Sequence, residues 1–206
     1  METKKPKKQQ PRSEATKRKI LAAAEEVFVR AGYESADIAS IAALAERSTG
    51  ALYAHYKSKE EIFLSLFKAS FERKREIFRQ HLEKAAGEPE ARRGAMWREI
   101  LLEISRDKRW SMLLLEFKLY ALRHPEKLEN IWPELAGMLR LDKGEVVLQM
   151  HKETGSRKSI PEYLFAVRMM QPLLSAIALE SQIFPEDFDA LSVDTYLTGI
   201  FDAMLV

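Results

Sequence analysis

The stretch STGALYAHYKSKEEIF, residues 48–63, decides how the N-terminal part of this chain is interpreted. Ser48 is suited to cap a short helix, and Leu52 and Tyr56, four positions apart, lie on the same side of it. The opposite side carries a glycine, a second tyrosine, a histidine and lysines. A core-facing helix has no need of this polar chemistry, whereas it is typical of a helix that contacts a polyanion.

Two helices are predicted before this stretch and a long one after it. The first has an apolar face at helical spacing, made by Ile20, Leu21, Ala24, Val27, Phe28 and Ala31, with Gly32 as its stop. Asp37 is suited to be the N-cap of the second, whose apolar face is Ile38, Ile41, Ala42 and Ala45. Ser58 and Glu61 have the capping-box spacing and open a helix that runs to about residue 86.

The remainder of the chain is also predicted to be helical. Further helices are expected near residues 90–105, 108–123, 126–153, 160–184 and 192–205, with Asp107 among the breaks between them. Pro133 and Pro172 are expected to kink or interrupt their helices, because proline lacks the amide N–H and its ring clashes with the preceding turn. The predicted fold class is therefore all-α, with about nine helices.

Composition excludes several classes of protein. The chain has 206 residues, 46% of them hydrophobic and 31% charged, and it contains no cysteine. Disulfides, thiolate metal sites and cysteine nucleophiles are thereby excluded. No apolar run approaches the roughly 20 residues of a spanning helix. The basic N-terminus lacks the apolar stretch of a signal peptide. We expect a cytoplasmic protein without a membrane partner.

The net charge of +2 conceals an asymmetry between the two ends of the chain. Residues 1–19 contain eight lysines and arginines against two glutamates, which gives +6 and leaves −4 for the remainder. A basic arm on an acidic body indicates a polyanionic partner at one end. A disordered tail that only improves solubility is the alternative. Residues 1–13 are predicted to form this disordered basic arm.

Three short helices before a long one, behind a basic arm, have the layout of a helix-turn-helix domain. In such a domain the third helix enters the major groove of DNA. Thr49 is then placed to reach a base edge, and Gly50 and Ala51 permit close approach of the backbone. Tyr53 and His55 are predicted to bond phosphates. Lys59, at the start of the following helix, is also predicted to contact a phosphate.

Residues 15–63 resemble the DNA-binding region of the tetracycline-repressor (TetR) family of bacterial transcription regulators. The resemblance is carried by Phe28, Gly32, Tyr33, Ile41, Ala42, Ser48, Gly50, Ala51, Leu52, Tyr53, His55, Tyr56, Ser58, Lys59 and Glu60. It implies that helices 1–3 bind DNA and that helices 4–9 form a regulatory domain for a small ligand. It also implies a homodimer through the last two helices. The corresponding domains are residues 14–60 and residues 61–206.

Two positions depart from the pattern of this family. The turn between helices 2 and 3 usually holds a glycine and then a small apolar residue, where this chain has Glu46 and Arg47. If position 46 is left-handed, a residue other than glycine costs about 1–2 kcal/mol there. Arg47 is expected to cover the turn with its stem and to reach a phosphate with its guanidinium. The candidate DNA-contacting residues are Asp37, Arg47, Ser48, Thr49, Gly50, Ala51, Tyr53, His55 and Lys59.

Large apolar residues in the second part of the chain are candidates for ligand binding and for assembly. Those considered for a pocket are Trp97, Trp110, Phe117, Tyr120, Trp132, Met138 and Met169. Such side chains line adaptable pockets, but they also fill ordinary cores. The last two predicted helices carry Leu164, Val167, Leu174, Ile177, Ile183, Leu197, Ile200, Phe201 and Leu205. This exceeds what one helix pair covers and predicts a two-fold dimer.

The sequence therefore predicts a homodimeric, DNA-binding transcription regulator that represses until a small, largely apolar ligand releases it from its operator. One alternative within this class is an activator, or a regulator that answers to a protein partner. An alternative from another class is a helical carrier of small molecules whose helix-turn-helix no longer reads DNA. The sequence shows no nucleophile–base spacing, no Gly-rich phosphate loop and no metal-binding histidine pair. We expect no enzymatic activity, no metal and no cofactor.

Overall fold

The computed structural model describes residues 10–85, 106–127, 154–186 and 190–205, together with residues 96, 99, 103, 147, 148, 151 and 152. Its main elements over these residues are seven helices: α1 (Gln10–Ser35), α2 (Ile38–Leu44), α3 (Thr49–Tyr53), α4 (Lys59–Ala85), α5 (Lys108–Arg123), α6 (Ile160–Ile183) and α7 (Ala190–Leu205). The predicted all-α class is confirmed. The helices predicted near 90–105 and 126–153 lie mostly outside the described residues, as do Pro133 and residues 1–9. No helix in the described part is long and apolar enough to cross a membrane.

Most predicted helix boundaries agree with the structure, but the start of α1 and the end of α3 differ. α5 spans the predicted residues, and α6 and α7 end within two residues of expectation. α1 already begins at Gln10, inside the predicted arm. α6 continues through Pro172, so of the predicted kink or interruption the interruption does not occur. Met170 and Leu174 are buried on either side of this exposed proline, and their packing holds the helix together despite the lost hydrogen bond.

The chain folds into two compact units. The first unit comprises the residues up to Ala69 and also Leu113–Tyr120 of α5, and the second comprises Ser70–Met112 and Ala121–Val206. The first break between the units along the chain falls within α4. The segment from α5 joins the first unit because its aromatic side chains complete that core. Phe117 stacks on Phe67 with 4.1 Å between ring centroids.

The core of the first unit is built on the predicted apolar faces. Its fully or almost fully buried side chains are Ile20, Ala24, Val27, Phe28, Ile41, Ala42, Leu52, Tyr56, Ile62, Phe63, Leu66 and Phe67. Ala31, predicted on the same face, is exposed. Phe63 lies at the centre, with ring centroids 5.2 Å from Phe28 and 4.7 Å from Tyr33. Burying one such phenylalanine contributes about 1.5–3 kcal/mol, so the aromatic cluster is a large part of this unit's stability.

In the second unit α6 packs against α7. Their shared core is a cluster of buried residues, namely Val147, Tyr163, Ala166, Met170, Phe201 and Leu205. α6 begins at a cap in which the Ser159 amide and hydroxyl both donate to a Glu162 carboxylate oxygen, at 2.9 and 2.6 Å. These bonds lower the pKa of Glu162. Pro161 follows within the first turn, where its missing N–H is not needed.

Asp107 marks the start of α5, as the sequence predicts. Its Oδ1 accepts the amide N–H of Trp110 at 3.0 Å, which caps the helix, and its Oδ2 contacts the ammonium of Lys74 in α4. Burial raises the pKa of Asp107, but the hydrogen bonds from Lys74 and Trp110 outweigh it and leave the pKa below the ordinary 3.8. The carboxylate is therefore more favourable in the folded state than in the unfolded chain.

We expect Asp107→Asn to reduce the free energy of unfolding at pH 7 by about 1 kcal/mol, because the amide keeps an oxygen for the Trp110 N–H but loses the charge-assisted hydrogen bond with Lys74. Because the folded pKa is depressed, the stabilisation is complete above the unfolded pKa and is lost as pH falls through the folded value. Urea unfolding of both proteins between pH 7 and pH 3 measures this. The difference between them should shrink toward acid pH, and a constant difference would contradict a role for the ionised carboxylate.

Candidate nucleic-acid interface

Side-chain caps hold both short helices of the helix-turn-helix. Asp37 accepts the Ser40 amide at 2.8 Å and the Ser40 hydroxyl at 2.7 Å, and these bonds lower its pKa. Ser48 accepts the amide of Ala51 at 3.2 Å. Both residues were candidates for DNA contact, and the structure shows them at helix starts with their oxygens occupied. Their observed role is to define where α2 and α3 begin.

α3 presents a small polar surface on an apolar base. It ends at Tyr53, earlier than the predicted Tyr56, but Leu52 and Tyr56 are buried as predicted. Thr49, Gly50 and Tyr53 are exposed, Tyr53 by 55%, whereas Ala51 and His55 are half-buried.

Among the described residues, nothing accounts for a glycine at position 50. A Cβ there would meet only the Ser48 hydroxyl, at 3.9 Å. A glycine within a helix costs about 1 kcal/mol relative to alanine. Close approach of an external partner to the backbone of α3 is a physical reason for keeping it.

Glu46 adopts the left-handed conformation that the family pattern predicts for glycine. Its φ is 56°, the one positive value outside glycine among the described residues. The Glu46 amide donates to Ala43 at 3.1 Å and the Arg47 amide to Ala42 at 2.9 Å. This is the paired hydrogen bonding of a Schellman motif, which requires a left-handed residue after the helix. The turn geometry therefore survives without glycine, at the cost of local strain.

The Arg47 side chain is not buried in the turn. It is exposed, and its Nη1 donates to the Glu46 carbonyl at 2.8 Å. The guanidinium therefore bonds to the backbone of the turn itself. An arginine has five N–H donors, so this bond leaves others for an anion.

Lys59 has an internal role that the sequence did not indicate. Its Nζ donates to the carbonyls of Tyr33, Glu34 and Ala36, at 2.8, 3.0 and 3.0 Å. An ammonium has three N–H donors, and all are used here. The predicted phosphate contact by this ammonium is therefore corrected to a structural one.

The ring of Tyr33 supports the same ammonium, because Lys59 Nζ lies 4.6 Å from its centroid. Burial, with Glu60 and Glu34 nearby, raises the pKa of Tyr33 to about 12. The phenol therefore stays neutral at physiological pH. The contact between Tyr33 and Lys59 is a cation–π interaction rather than an ion pair.

The fold brings one basic residue to the interface that motif reading did not single out. Lys19, in the middle of α1, reaches the Glu46 carboxylate at 3.6 Å. Both side chains are largely exposed, so the pair contributes little to stability. It does place a cation beside the turn that precedes α3. Only the packing of α1 on α2 reveals this, because the two residues lie far apart in the sequence.

The predicted ligand residues that the structure describes are divided between the two compact units. Phe117 and Tyr120 lie in the core of the first unit, where Tyr120 meets Tyr33 at 5.0 Å between ring centroids. Trp110 is buried near Phe71, and Met169 is 41% exposed on α6. Trp97, Trp132 and Met138 lie outside the described residues. Phe117 and Tyr120 thus have the packing of core residues rather than of a pocket lining.

An open groove of about 990 Å³ runs between α1 and α2 of the first unit. Charged residues on its border include Lys19, Glu26, Arg30 and Glu46, and the partly exposed Leu44 contributes apolar surface. None of the predicted ligand residues borders it. Over the part of the chain that the structure describes, no group of three His, Asp or Glu residues has the arrangement of a metal site.

Comparison with known proteins shows what this helix-turn-helix is similar to. Residues 20–66 match the family described as bacterial regulatory proteins, tetR family. A segment of 50 residues, 24% of this chain, is 44% identical to the HTH-type transcriptional regulator QacR of Staphylococcus aureus and spans 27% of that protein. The helix-turn-helix is therefore similar to that of tetR-family regulatory proteins, and the predicted resemblance is confirmed over this segment.

Solved structures extend the similarity in fold to most of the chain. The fatty acid degradation regulator FadR of Bacillus halodurans aligns with a TM-score of 0.65 at 18% identity, covering 99% of this chain and 97% of its own. FadR of Bacillus subtilis, solved in complex with stearoyl-CoA, aligns with a TM-score of 0.61 at 16% identity, covering 91% and 97%. At these identities the alignments establish a common fold.

We expect Glu46→Gly to be neutral or to raise the free energy of unfolding by up to about 1 kcal/mol, because glycine relieves the left-handed strain but has more freedom when unfolded. DNA affinity should rise, since a negative charge leaves the turn beside α3. Thermal unfolding and fluorescence anisotropy with a DNA duplex measure the two effects.

Glu46→Ala is the matched control. It removes the same charge and keeps a Cβ in the left-handed conformation. It should raise DNA affinity as much as the glycine variant while being less stable than that variant. Equal stability of the two would show that residue 46 carries no strain.

Proposed function

We propose that the protein is a sequence-specific, DNA-binding transcription regulator that acts as a repressor. The carrying observation is α3, a capped helix held by buried Leu52 and Tyr56 with Thr49, Gly50 and Tyr53 exposed. Thr49 is assigned a base edge and Tyr53 a phosphate, as in other helix-turn-helix proteins. Arg47 supplies a phosphate contact from the preceding turn, and His55 borders the same surface. Binding to chromosomal DNA would place the protein in the cytoplasm.

The proposed signal is a small, largely apolar effector that binds the helical part beyond α4 and releases the DNA. This follows from the family that the helix-turn-helix resembles. The ligand of the Bacillus subtilis FadR structure provides one probe, stearoyl-CoA. If stearoyl-CoA leaves DNA binding unchanged, this effector is excluded while the regulator itself stands.

A homodimer through α6 and α7 is supported by an apolar surface that differs in residues from the predicted one. Several predicted contacts pack inside the chain instead: Leu174, Leu197, Phe201 and Leu205 are buried, and Leu164, Val167 and Ile200 pack against the same cluster. The exposed residues at helical spacing are Phe165, Met169, Pro172, Ala176 and Ile183 on α6, and Tyr196, Gly199 and Ala203 on α7. The small residues on α7 permit close approach of a second helix.

The DNA-binding proposal predicts different effects for two substitutions. Tyr53→Phe removes one hydroxyl from a phosphate contact and should weaken binding to selected and scrambled duplexes alike, by about threefold. Thr49→Ala should change which base is preferred at one position of the site. Both are measured by anisotropy with duplexes selected from a randomised library.

Absence of DNA binding by the unsubstituted protein, even at about 50 mM salt, would reject the regulator, because non-specific binding is strongest at low salt. That result would favour the alternative, a small-molecule carrier with an inactive helix-turn-helix.

The dimer proposal predicts that Met169→Glu shifts the protein to a monomer at about 10 μM, because a carboxylate buried in an apolar interface lacks a partner. Light scattering coupled to size exclusion gives the mass. Leu122→Glu is the control, since Leu122 is 79% exposed on α5 and lies outside the proposed surface. A monomeric unsubstituted protein, or a dimer that tolerates Met169→Glu, would contradict this interface.

A further inference from the structure

A residue from a distant part of the chain holds the turn after α1. The helix breaks at Gly32, where φ is 77° and ψ is 163°. The break takes the Tyr33 amide out of the regular ladder of α1, and this N–H donates to Glu116 Oε2 at 2.8 Å, across 83 residues of sequence. A hydrogen bond to a carboxylate is charge-assisted and stronger than one between neutral groups.

The glycine at position 32 adopts the backbone angles of the break and also leaves room for the Glu116 carboxylate. A Cβ at position 32 would stand 3.2 Å from Glu116 Oε1 and 3.5 Å from Oε2. The contact with Oε1 is tight enough that the carboxylate would have to shift by a few tenths of an ångström. The glycine therefore permits both the left-handed break and the close approach of the carboxylate to the backbone.

Lys59 holds the same turn by its carbonyl groups, through the bonds to Tyr33, Glu34 and Ala36. The segment between α1 and α2 is thus bound by an anion at an amide and by a cation at its carbonyls. The next residue, Asp37, is the N-cap of α2. Because α2, the Glu46 turn and α3 follow without a flexible linker, the placement of this turn sets the placement of α3.

We propose that Glu116 is a positioning residue for DNA recognition, which acts through the Tyr33 amide and the α1–α2 turn on α3. The inference rests on the proposed DNA-binding function and adds to it the contact by which α5 holds the helix-turn-helix. α5 also contributes Lys108–Met112 and residues 121–123 to the second compact unit. Glu116 is therefore carried by a helix that belongs to both units.

A role in stability alone has different consequences from a role in positioning. A merely structural Glu116 changes the melting temperature and leaves the affinity of the folded protein for its DNA site unchanged. A positioning residue changes the ratio between binding to a selected duplex and to a scrambled one. This ratio is the decisive readout, because the loss of one negative charge affects both duplexes alike.

The test compares Glu116→Ala, Glu116→Gln and Glu116→Asp in the full chain, at a temperature where circular dichroism shows each to be folded. Glu116→Ala should lower the selected-to-scrambled affinity ratio by about tenfold, because the Tyr33 amide loses its acceptor and the turn that leads to α2 and α3 is no longer held in place. Glu116→Gln keeps a carbonyl acceptor and should retain most of the ratio. Glu116→Asp keeps the charge, but its side chain is one methylene shorter. The selected-to-scrambled affinity ratio should therefore fall by about threefold or more. If Glu116→Ala does not fold, the aspartate variant decides.

Glu72→Ala on α4 is the matched control, because it removes the same charge from a residue that pairs with Arg75 on the surface. It should leave the ratio unchanged. Specific binding by the unsubstituted protein that Glu116→Ala and Glu116→Asp retain in full would overturn this inference alone. No specific binding by the unsubstituted protein would overturn the proposed function and the inference with it.

Discussion

The first unit depends on the contact between the Lys59 ammonium and three carbonyls at the end of α1. A helix that stops leaves carbonyl groups without intrahelical partners, and here one side chain from α4 supplies the donors. The same ammonium lies against the ring of Tyr33, which is itself packed on Phe63. The end of the first helix, the start of the second and the aromatic core are thereby joined at one point.

The residues at the interface divide into those that shape it and those that remain available to a partner. Hydrogen bonds at helix ends occupy polar atoms of Asp37, Ser48 and Lys59. Thr49 and Tyr53 remain exposed on α3. The division follows from geometry, because capping residues flank the helices and the outward residues lie within them. In this motif, some polar residues therefore stabilise the fold and others remain available to a partner.

The first unit is not formed by one continuous segment of the chain. Phe117 and Tyr120 of α5 cover Phe67 and Phe63, with ring centroids 4.1 and 5.7 Å apart respectively. A fragment that ends within α4 lacks these side chains and exposes the aromatic cluster to water. The helix that completes the core of the first unit also extends into the second unit. A change in the position of this helix has a direct physical route to the turn after α1.

Much of this protein was readable from local sequence. Periodicity and capping residues determined the helices, and the spacing in residues 48–63 determined which side of α3 is buried. The family pattern, with its glycine, also raised the question of a left-handed residue at position 46, and Glu46 has this conformation because a Schellman motif constrains the backbone whatever residue occupies it.

Only the tertiary structure decided which charged side chains form hydrogen bonds within the chain and which aromatic residues form a core. Lys59, Glu116 and Phe117 owe their roles to neighbours that are distant in the chain. Pattern and propensity report on the few residues around each position. The hydrogen bonds and burial that fix a side chain's role are set by what the folded chain brings against it.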